Sequence, residues 1–348
     1  MFLLFFYLME NQKIIKNEMA KNEKEMIVYL TNYYNKKIED NKIIINDNFE
    51  LLEKIGNGSF WSVNKIKRKL LSSKGEVIDN NYYVFKKGNL NKKIINFNEK
   101  EIECRIGVKE YNILKEICHP NISRLYECII DENKNKIILV MEYCDLGSLM
   151  ISKSKDNYDY YEYNKNVMEY LWKKYNKNKN IPNIFSYKIN EQKDFFEKIT
   201  FEILIQLISA LKYLKNKLIA HLDIKPENIL IKNIDNEDNN NYVKLSDFSI
   251  SKKIPSENSK IEFFGGTPIF NPPEIEVEEE IDPFKYDIYT LGATIYSFLF
   301  NNFNFSEIKN THNEINNKKL AKILLLTLEP NFYNRASINQ IEDIILSD

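Results

Sequence analysis

The chain contains 348 residues, 43% of them hydrophobic, which is enough for two modest domains or one large bilobal unit. Its 49 basic and 50 acidic residues leave a formal net charge of −1, which excludes an electrostatic footprint for nucleic acid or an anionic membrane. The four cysteines show no CxxC pair and no metal-ligand spacing, as is typical of reduced thiols. We therefore expect a globular, cytoplasmic protein that has no membrane span and binds no nucleic acid.

Residues 1–46 are predicted to be a polar amino-terminal extension. The apolar opening at residues 1–9 lacks the basic region and small-residue cleavage site of a signal peptide, and it is too short to span a bilayer. Residues 10–46 are rich in Lys, Glu and Asn and show no clear apolar stripe. The sequence leaves the role of this extension open.

Two strands joined by a glycine turn are predicted next. Residues 49–55 form the first strand, Gly56-Asn57-Gly58 the turn, and a second strand runs to about Lys67. Glycine in such a turn lets backbone N–H groups approach a polyphosphate without a Cβ in the way. Hairpins also use glycine for backbone geometry alone, so both interpretations stay open. A further strand is predicted over residues 82–87.

The middle of the chain is predicted to contain two amphipathic helices separated by strands. Apolar residues at helical spacing predict the first helix over residues 99–118, stopped by Pro120, and the second over residues 195–216. Strands are predicted over residues 125–131 and 136–141. Residues 150–193 are biased toward Asn, Lys and Tyr, which predicts a low-complexity insertion.

Residues 221–230 place three chemically useful side chains close together. Asp223 can accept the proton of an attacking hydroxyl, Asn228 can offer an oxygen to a hard cation, and Lys225 can neutralise charge on a phosphoryl group. The aliphatic triplet at 229–231 predicts a buried strand that fixes the exit of the loop. The alternative is a surface loop whose Asp, Lys, Pro, Glu and Asn are ordinary turn formers.

Taken in chain order, these motifs resemble those of the protein kinase family. The segments that carry the resemblance are residues 56–63, Val84-Phe85-Lys86, residues 141–149, residues 221–230, Asp247-Phe248-Ser249 and residues 265–274. The glycine-rich loop and the metal-binding motif each depart from the pattern at one position. Trp61 stands at the third glycine of the loop, and Ser249 stands at the glycine of the metal-binding motif. The resemblance implies an α+β bilobal fold. A small five-stranded β lobe with one helix and the hinge would occupy residues 47–143, and a larger, mainly helical lobe residues 144–348.

The resemblance also implies a set of site residues. Lys86 would contact the nucleotide phosphates and pair with a helix glutamate, for which the spacing to His119 favours Glu110 over Glu101 and Glu103. The implied catalytic residues are Asp223, Lys225, Lys86 and Glu110, and the implied magnesium ligands are Asn228 and Asp247. The implied nucleotide-binding residues are Ile55, Gly56, Asn57, Gly58, Val63, Val84, Lys86, Met141, Glu142 and Cys144. The expected cofactors are therefore ATP and Mg²⁺.

The implied function is transfer of the ATP γ-phosphoryl group to a serine or threonine hydroxyl of a protein, with Asp223 as the base. Lys225 and Thr267 favour the serine/threonine branch, since Thr267 would hydrogen-bond both Asp223 and Lys225. A weaker similarity to the calcium/calmodulin-dependent kinase kinases and liver kinase B makes another kinase an expected substrate. A small-molecule kinase of similar fold is an alternative.

The resemblance places the activation segment between Asp247 and Glu274. Leu222 stands where most kinases have an arginine that binds a phosphorylated residue of this segment. Because leucine cannot do so, we expect that Ser256 and Ser259 are not a strict on-switch, and that packing or a regulatory partner protein orders the segment. Trp61, Leu222 and Ser249 also support a second alternative, a pseudokinase scaffold that binds ATP without efficient catalysis.

Overall fold

A computed structural model describes residues 49–57, 61–68, 70–71, 77–79, 81–90, 92–95, 101–104, 106–131, 133, 135–155, 158–176, 192–234, 241–263 and 265–347. The predicted extension at residues 1–46 lies outside these residues, as does Gly58 of the glycine turn. The chain divides into two compact units, residues 1–50 with 68–80 and residues 51–67 with 81–348.

The strands of the described residues are, in chain order, β1 (Phe49–Asn57), β2 (Trp61–Arg68), β3 (Leu70–Leu71), β4 (Val77–Asp79), β5 (Tyr82–Asn89), β6 (Lys92–Ile95), β7 (Glu101–Cys104), β8 (Leu125–Asp131), β9 (Lys136–Glu142), β10 (Gly147–Ser148), β11 (Met150–Lys155), β12 (Tyr158–Tyr163), β13 (Ile219–Ala220), β14 (Ile229–Ile231), β15 (Val243–Leu245) and β16 (Lys252–Lys253). In the first unit, β3 and β4 pair as a short hairpin.

The α-helices of the second unit are α1 (Ile106–Leu114), α2 (Lys165–Tyr175), α3 (Lys193–Asn216), α4 (Pro283–Phe300), α5 (Ile308–Thr311), α6 (Lys318–Thr327) and α7 (Ile338–Leu346). Short 3-10 turns lie at Pro226–Asn228, Pro268–Phe270, Pro273–Glu276, Phe305–Glu307 and His312–Glu314. No helix among the described residues is both long and apolar enough to cross a membrane.

A five-stranded sheet with the order β1-β2-β5-β9-β8 forms the small lobe, as predicted. The predicted strands over residues 49–55, 82–87, 125–131 and 136–141 are confirmed within one or two residues at each end. β5 and β8 flank β9 on its two edges, and both of its faces are buried, since Ile137, Ile138, Leu139 and Val140 are all buried. Register in this sheet pairs Val63 with Lys86. It also pairs Val84 with Met141.

The first predicted helix is shorter than the sequence indicates. Helix α1 covers Ile106–Leu114, whereas residues 101–104, predicted as helix, form a strand that pairs antiparallel with β6. The backbone groups of residues 101–104 make their hydrogen bonds with β6 instead of within a helix. This tertiary contact overrides the weak helical preference of the segment. Residues 115–118 likewise lie beyond the end of the helix.

Part of the segment predicted as a low-complexity insertion, residues 150–193, contributes to the core. Strands β11 and β12 pair so that Met150 faces Tyr163 and Ser152 faces Tyr161, and Met150 and Tyr161 are buried. The other face carries Ile151 and residues 153, 160 and 162, which are exposed. Helix α2 then buries Val167, Met168, Leu171 and Trp172. The aromatic and apolar residues of this segment therefore have structural partners that its biased composition conceals.

The large lobe is arranged around helix α4, most of whose residues are buried. A Cβ at Gly292 of α4 would lie 2.3 Å from Thr327 Oγ1, so glycine permits the close approach of α6. The predicted helix over residues 195–216 is confirmed as α3, which packs on α4.

A buried ion pair joins the segment before α4 to the carboxyl-terminal region. The Arg335 guanidinium donates to Glu274 Oε1 at 2.6 Å and to Oε2 at 2.8 Å. Its remaining N–H groups donate to the carbonyl oxygens of Glu329, Lys285 and Pro330. The Arg335 side chain is completely buried, so all five of its donors depend on these protein acceptors.

We predict that Glu274→Gln lowers the free energy of unfolding by about 3 kcal/mol, because it leaves the Arg335 charge buried without a carboxylate. Urea denaturation of the two proteins measures the difference. Glu276→Gln is the matched control, since Glu276 lies in the same turn but is exposed, and it should change the unfolding free energy by less than about 0.5 kcal/mol. Equal effects of the two substitutions would contradict the prediction.

Candidate active site

The short pair β14 and β15 brings two chain segments together at one end. Ile229 pairs with Leu245, so Asn228 immediately before β14 lies beside Ser246 immediately after β15. The Ser246 N–H and hydroxyl both donate to the Asn228 carbonyl, at 2.9 and 3.0 Å. The loop at residues 221–228 and the segment that contains Asp247 therefore meet at the same sheet end.

Asp223 is surrounded by donors. The Asn228 amide donates to the Asp223 carboxylate at 3.0 Å and to its carbonyl at 2.8 Å. Lys225 Nζ lies 3.1 Å from Asp223 Oδ2. The Thr267 hydroxyl donates to Asp223 Oδ1 at 2.8 Å and accepts from Lys225 Nζ at 2.7 Å. The predicted hydrogen bonds of Thr267 with Asp223 and Lys225 are thus present, and they fix the direction in which the carboxylate points.

A buried carboxylate holds the backbone of the same loop. Asp287 of α4 accepts the N–H of His221 at 2.7 Å on one oxygen and that of Leu222 at 2.8 Å on the other. Burial raises the pKa of Asp287 to about 7, although the two backbone donors act in the opposite direction. Leu222 adopts a left-handed φ of +68°, a conformation that is costly for leucine and that these two contacts stabilise.

Lys86 lies between two carboxylates from different parts of the chain. Its Nζ is 2.6 Å from Glu110 Oε1 and 2.8 Å from Asp247 Oδ1. Of the three candidate glutamates, the structure thus brings Glu110 to Lys86, while residues 101 and 103 belong to β7. The indole of Trp61 also lies against this group, with its ring centroid 5.1 Å from Nζ.

The charges of this cluster support one another. Burial alone would lower the pKa of Lys86, but the attraction of Glu110 and Asp247 outweighs it and leaves that pKa raised. Burial alone would likewise raise the pKa of Asp247, yet Lys86 lowers it, so Asp247 stays ionised at neutral pH. The cluster therefore presents a fixed ammonium and an ionised carboxylate.

Asn228 and Asp247 have the chemistry that a magnesium ion requires. Since the Asn228 amide nitrogen donates to Asp223, the amide oxygen is the atom left for coordination. An amide oxygen and an ionised carboxylate are hard ligands, and Mg²⁺ is usually held by one or two such groups together with substrate phosphates. Among the described residues no group of three or more His, Cys, Asp or Glu side chains could hold a metal. The oxygens of Asn228 and Asp247 match the ligand chemistry of such an ion.

Ser249 does not strain the backbone in this conformation. Within the described residues the non-glycine positions with positive φ are Asn135, Leu218, Leu222, Asp247 and Asn301. The left-handed residue of this motif is therefore Asp247, with φ of +64°, and Ser249 is free of the constraint that would call for glycine. The Ser249 N–H donates to Asp247 Oδ1 at 3.3 Å.

The candidate nucleotide-binding residues lie on the strands that lead to Lys86 and the hinge. The last three residues of β1 are Ile55, Gly56 and Asn57. A Cβ placed on Gly56 would lie 3.4 Å from Val63 Cβ, so the two residues are neighbours. Register places Val63 beside Lys86 and Val84 beside Met141.

At the hinge, Met141, Glu142 and Cys144 are buried. The Glu142 carboxylate lies 2.8 Å from Lys232 Nζ and 3.2 Å from Lys244 Nζ. These lysines lower its pKa although burial opposes them. The Glu142 side chain is thus held by these ion pairs, and its backbone N–H donates to the Arg124 carbonyl at 2.8 Å.

Leu222 lies in an apolar cluster that includes the activation segment. The buried members of this cluster are Ala220, Leu222, Ile254, Phe263, Ile281 and Tyr286. Backbone contacts reinforce it, because β13 pairs with β16 and Ile261 exchanges backbone hydrogen bonds with Ile281. The segment is therefore seated on Leu222 by apolar packing.

One neighbour of the site was not predicted from the sequence. The Tyr161 hydroxyl donates to Glu227 Oε1 at 2.8 Å, which places strand β12 beside the 3-10 turn Pro226–Asn228. Burial raises the pKa of both side chains. This contact joins residues 66 positions apart, and no local pattern in the sequence indicates it.

Comparison with known proteins gives matches to one family. The sequence model described as "Protein kinase domain" matches residues 156–346, more than half of the chain. The chain is 30% identical over 259 residues to the probable serine/threonine-protein kinase nek2 of Dictyostelium discoideum, which covers 72% of this chain and 48% of that protein. It is 31% identical over 255 residues to the serine/threonine-protein kinase ATG1 of Komagataella pastoris, which covers 70% of this chain and 28% of that protein.

A third relative is the serine/threonine-protein kinase TOS3 of Saccharomyces cerevisiae, 27% identical over 279 residues that cover 75% of this chain and 41% of that protein. The chain spans about half or less of the length of these relatives. The match to the kinase domain and the names of these relatives agree with the five-stranded sheet, the Lys86 cluster and the surroundings of Asp223. The chain therefore belongs to the protein kinase family, in its serine/threonine branch.

Proposed function

We propose that this chain transfers the γ-phosphoryl group of ATP to serine or threonine hydroxyls of protein substrates. The observation that carries the proposal is the arrangement around Asp223, which Asn228, Lys225 and Thr267 hold from three sides. A carboxylate in this setting is oriented and accessible to a hydroxyl that must lose its proton. Phosphoryl transfer depends mainly on such positioning and on electrostatic stabilisation.

Each charged side chain has a separate task in this proposal. Asp223 accepts the hydroxyl proton, and Lys225 neutralises charge on the transferred phosphoryl oxygens. Lys86, held by Glu110, binds the phosphates that remain on the nucleotide. Asn228 and Asp247 would hold Mg²⁺, which when bound supplies positive charge that stabilises the phosphate oxygens. The main chain of Glu142 and Cys144 would bind the adenine ring.

The alternative is a pseudokinase scaffold that binds ATP without efficient catalysis. Trp61, Leu222 and Ser249 motivate it, since each departs from the family pattern. The intact charged set argues against it. Lys86 keeps both carboxylate partners and Asp223 keeps its three donors.

We predict that Asp223→Asn and Asp247→Asn each lower kcat by about a hundredfold or more, equivalent to about 3 kcal/mol in barrier height. The first removes the proton acceptor and the second removes a carboxylate that the metal needs. Magnesium-dependent phosphorylation of a serine- and threonine-containing peptide array, including activation-segment sequences of other kinases, measures the effect. It also tests the expectation that another kinase is the substrate.

Asp343→Asn is the control for these substitutions, because Asp343 is an exposed residue of α7. Its activity should equal that of the wild-type protein. A wild-type chain that binds ATP but transfers no phosphate to any peptide would overturn the proposal in favour of the scaffold. Normal activity of the Asp247 variant would show that Asp247 is not a magnesium ligand.

We also propose that apolar packing rather than a phosphate orders the activation segment. Leu222 belongs to the apolar cluster that contains Ile254 and Phe263, and its side chain offers no donor to a phosphate. Ser256 is exposed and Ser259 is partly exposed, and their hydroxyl groups are hydrogen-bonded to each other at 2.8 Å.

We predict that phosphatase treatment leaves kcat within about twofold of the untreated enzyme, a change of about 0.4 kcal/mol in barrier height. By contrast, Leu222→Arg should lower the activity of the unphosphorylated protein, because it buries a guanidinium among apolar side chains. Leu222→Met keeps the apolar character and is the matched control. Loss of activity on phosphatase treatment, followed by recovery on phosphorylation of a single serine of the segment, would disprove this mode of control.

A further inference from the structure

Trp61 occupies a position that the glycine-rich loop of the family leaves without a side chain, and here that side chain is buried. It is the first residue of β2 and is 5% exposed. Its indole reaches the amino-terminal turn of α1. A Cβ placed on Gly107 would lie 2.8 Å from Trp61 Cη2 and 2.7 Å from Ile137 Cγ2. Helix α1 can therefore approach β2 and β9 this closely only because residue 107 is glycine.

The same contact fixes the position of Glu110. Residues three apart on an α-helix lie on one face, so Gly107 and Glu110 face the sheet together. Gly107 meets the indole, while Glu110 meets Lys86 at 2.6 Å. Any movement of α1 away from Trp61 would also withdraw Glu110 from Lys86.

Trp61 also contacts the other half of the ion pair directly. Its ring centroid lies 5.1 Å from Lys86 Nζ, within the range at which an aromatic face attracts a cation. The indole thus contacts Lys86 directly, and through its contact with α1 it also determines the position of Glu110.

We propose that Trp61 is a positioning residue that holds α1 against the sheet, so that the ion pair of Lys86 with Glu110 is assembled before nucleotide binds. This inference rests on the proposed kinase function for its consequence in catalysis. Its structural part, the seating of α1 by Trp61, is independent of that function. In a kinase that forms this pair without an activating partner, loss of the indole should separate the helix from the lysine.

The second tryptophan of the chain provides the matched control. Trp172 is 6% exposed and packs in the large lobe against Phe195, with ring centroids 4.9 Å apart. Trp172→Phe therefore shrinks an equally buried indole that lies on another element. A purely structural role of Trp61 predicts that the two tryptophans behave alike.

The test compares wild type, Trp61→Gly, Trp61→Phe and Trp172→Phe by hydrogen exchange and by steady-state kinetics of the full chain. In Trp61→Gly we expect the amides of α1 to exchange at least about tenfold faster while those of α3 stay unchanged. We expect kcat to fall about tenfold or more, because a small misplacement of Lys86 affects the transfer step, with the KM for peptide unchanged. The α1 exchange rate and the kcat of Trp61→Phe should lie between those of the wild type and those of Trp61→Gly. Trp172→Phe should match the wild type in both measurements.

A second pair of variants tests the contact itself. Gly107→Ala should lower kcat, because the added methyl group meets Trp61 and Ile137. Adding Trp61→Phe removes the Cη2 atom and should restore part of that loss, so that the double variant is more active than Gly107→Ala alone. A double variant whose loss is the product of the two single losses would overturn the proposed contact.

The outcomes separate this inference from the proposed function. A wild-type chain without phosphoryl transfer would remove the kinase proposal, and the exchange of α1 would still decide the role of Trp61. If the wild type is active but Trp61→Gly leaves α1 exchange and kcat as in Trp172→Phe, the inference is wrong. Equal acceleration of α1 and α3 in Trp61→Gly would indicate a general loss of stability and would also overturn it.

Discussion

The site depends on one buried ammonium group. Lys86 is held in the small lobe by Glu110 of α1, 24 positions away, and by Asp247, 161 positions away. A buried charge without partners would be very costly, so these three residues stabilise one another only while the sheet, α1 and the segment after β15 keep their places. The two ion pairs therefore form only when the sheet, α1 and the segment after β15 are all in place. The low pKa of Asp247 follows from the same condition, because its ionised form is what balances Lys86.

A second set of contacts holds the loop of Asp223 and the activation segment without a phosphate group. Asp287 fixes the backbone at His221 and Leu222, and the Leu222 side chain is buried among residues of the activation segment. The left-handed backbone of Leu222 shows that this arrangement is over-determined, since a leucine would not adopt it unaided. Thr267 then connects the far end of the segment to Asp223. Packing and backbone hydrogen bonds thus order a segment that a phosphate could otherwise order.

Much of this could be predicted from the sequence, because the informative signals were local. The strands of the sheet show β-branched and aromatic runs bounded by turns, and these runs predict the ends of β8 and β9 to within one residue. Glu110 was selected by its distance from a turn, and the structure brings it to Lys86. By contrast, residues 101–104 form a strand only because β6 lies beside them. The alternation of buried and exposed residues in β11 and β12 becomes visible only when the two strands are paired. The contact of Tyr161 with Glu227 forms only in the folded chain. The pairing of Trp61 with Gly107 joins two residues that look unrelated in sequence.

The three departures from the family pattern have a common physical character. Trp61 replaces a glycine with a ring that packs on α1, Leu222 replaces a charged donor with a buried apolar group, and Ser249 sits where the backbone needs no glycine. None of them removes a carboxylate, an amide or an ammonium from the site. Loss of catalysis would require loss or misorientation of Asp223, Lys86 or Asp247. All three keep their partners in this structure. They favour a protein kinase whose active arrangement is held by its own packing, and they support the view that the departures alter control of the site rather than its chemistry.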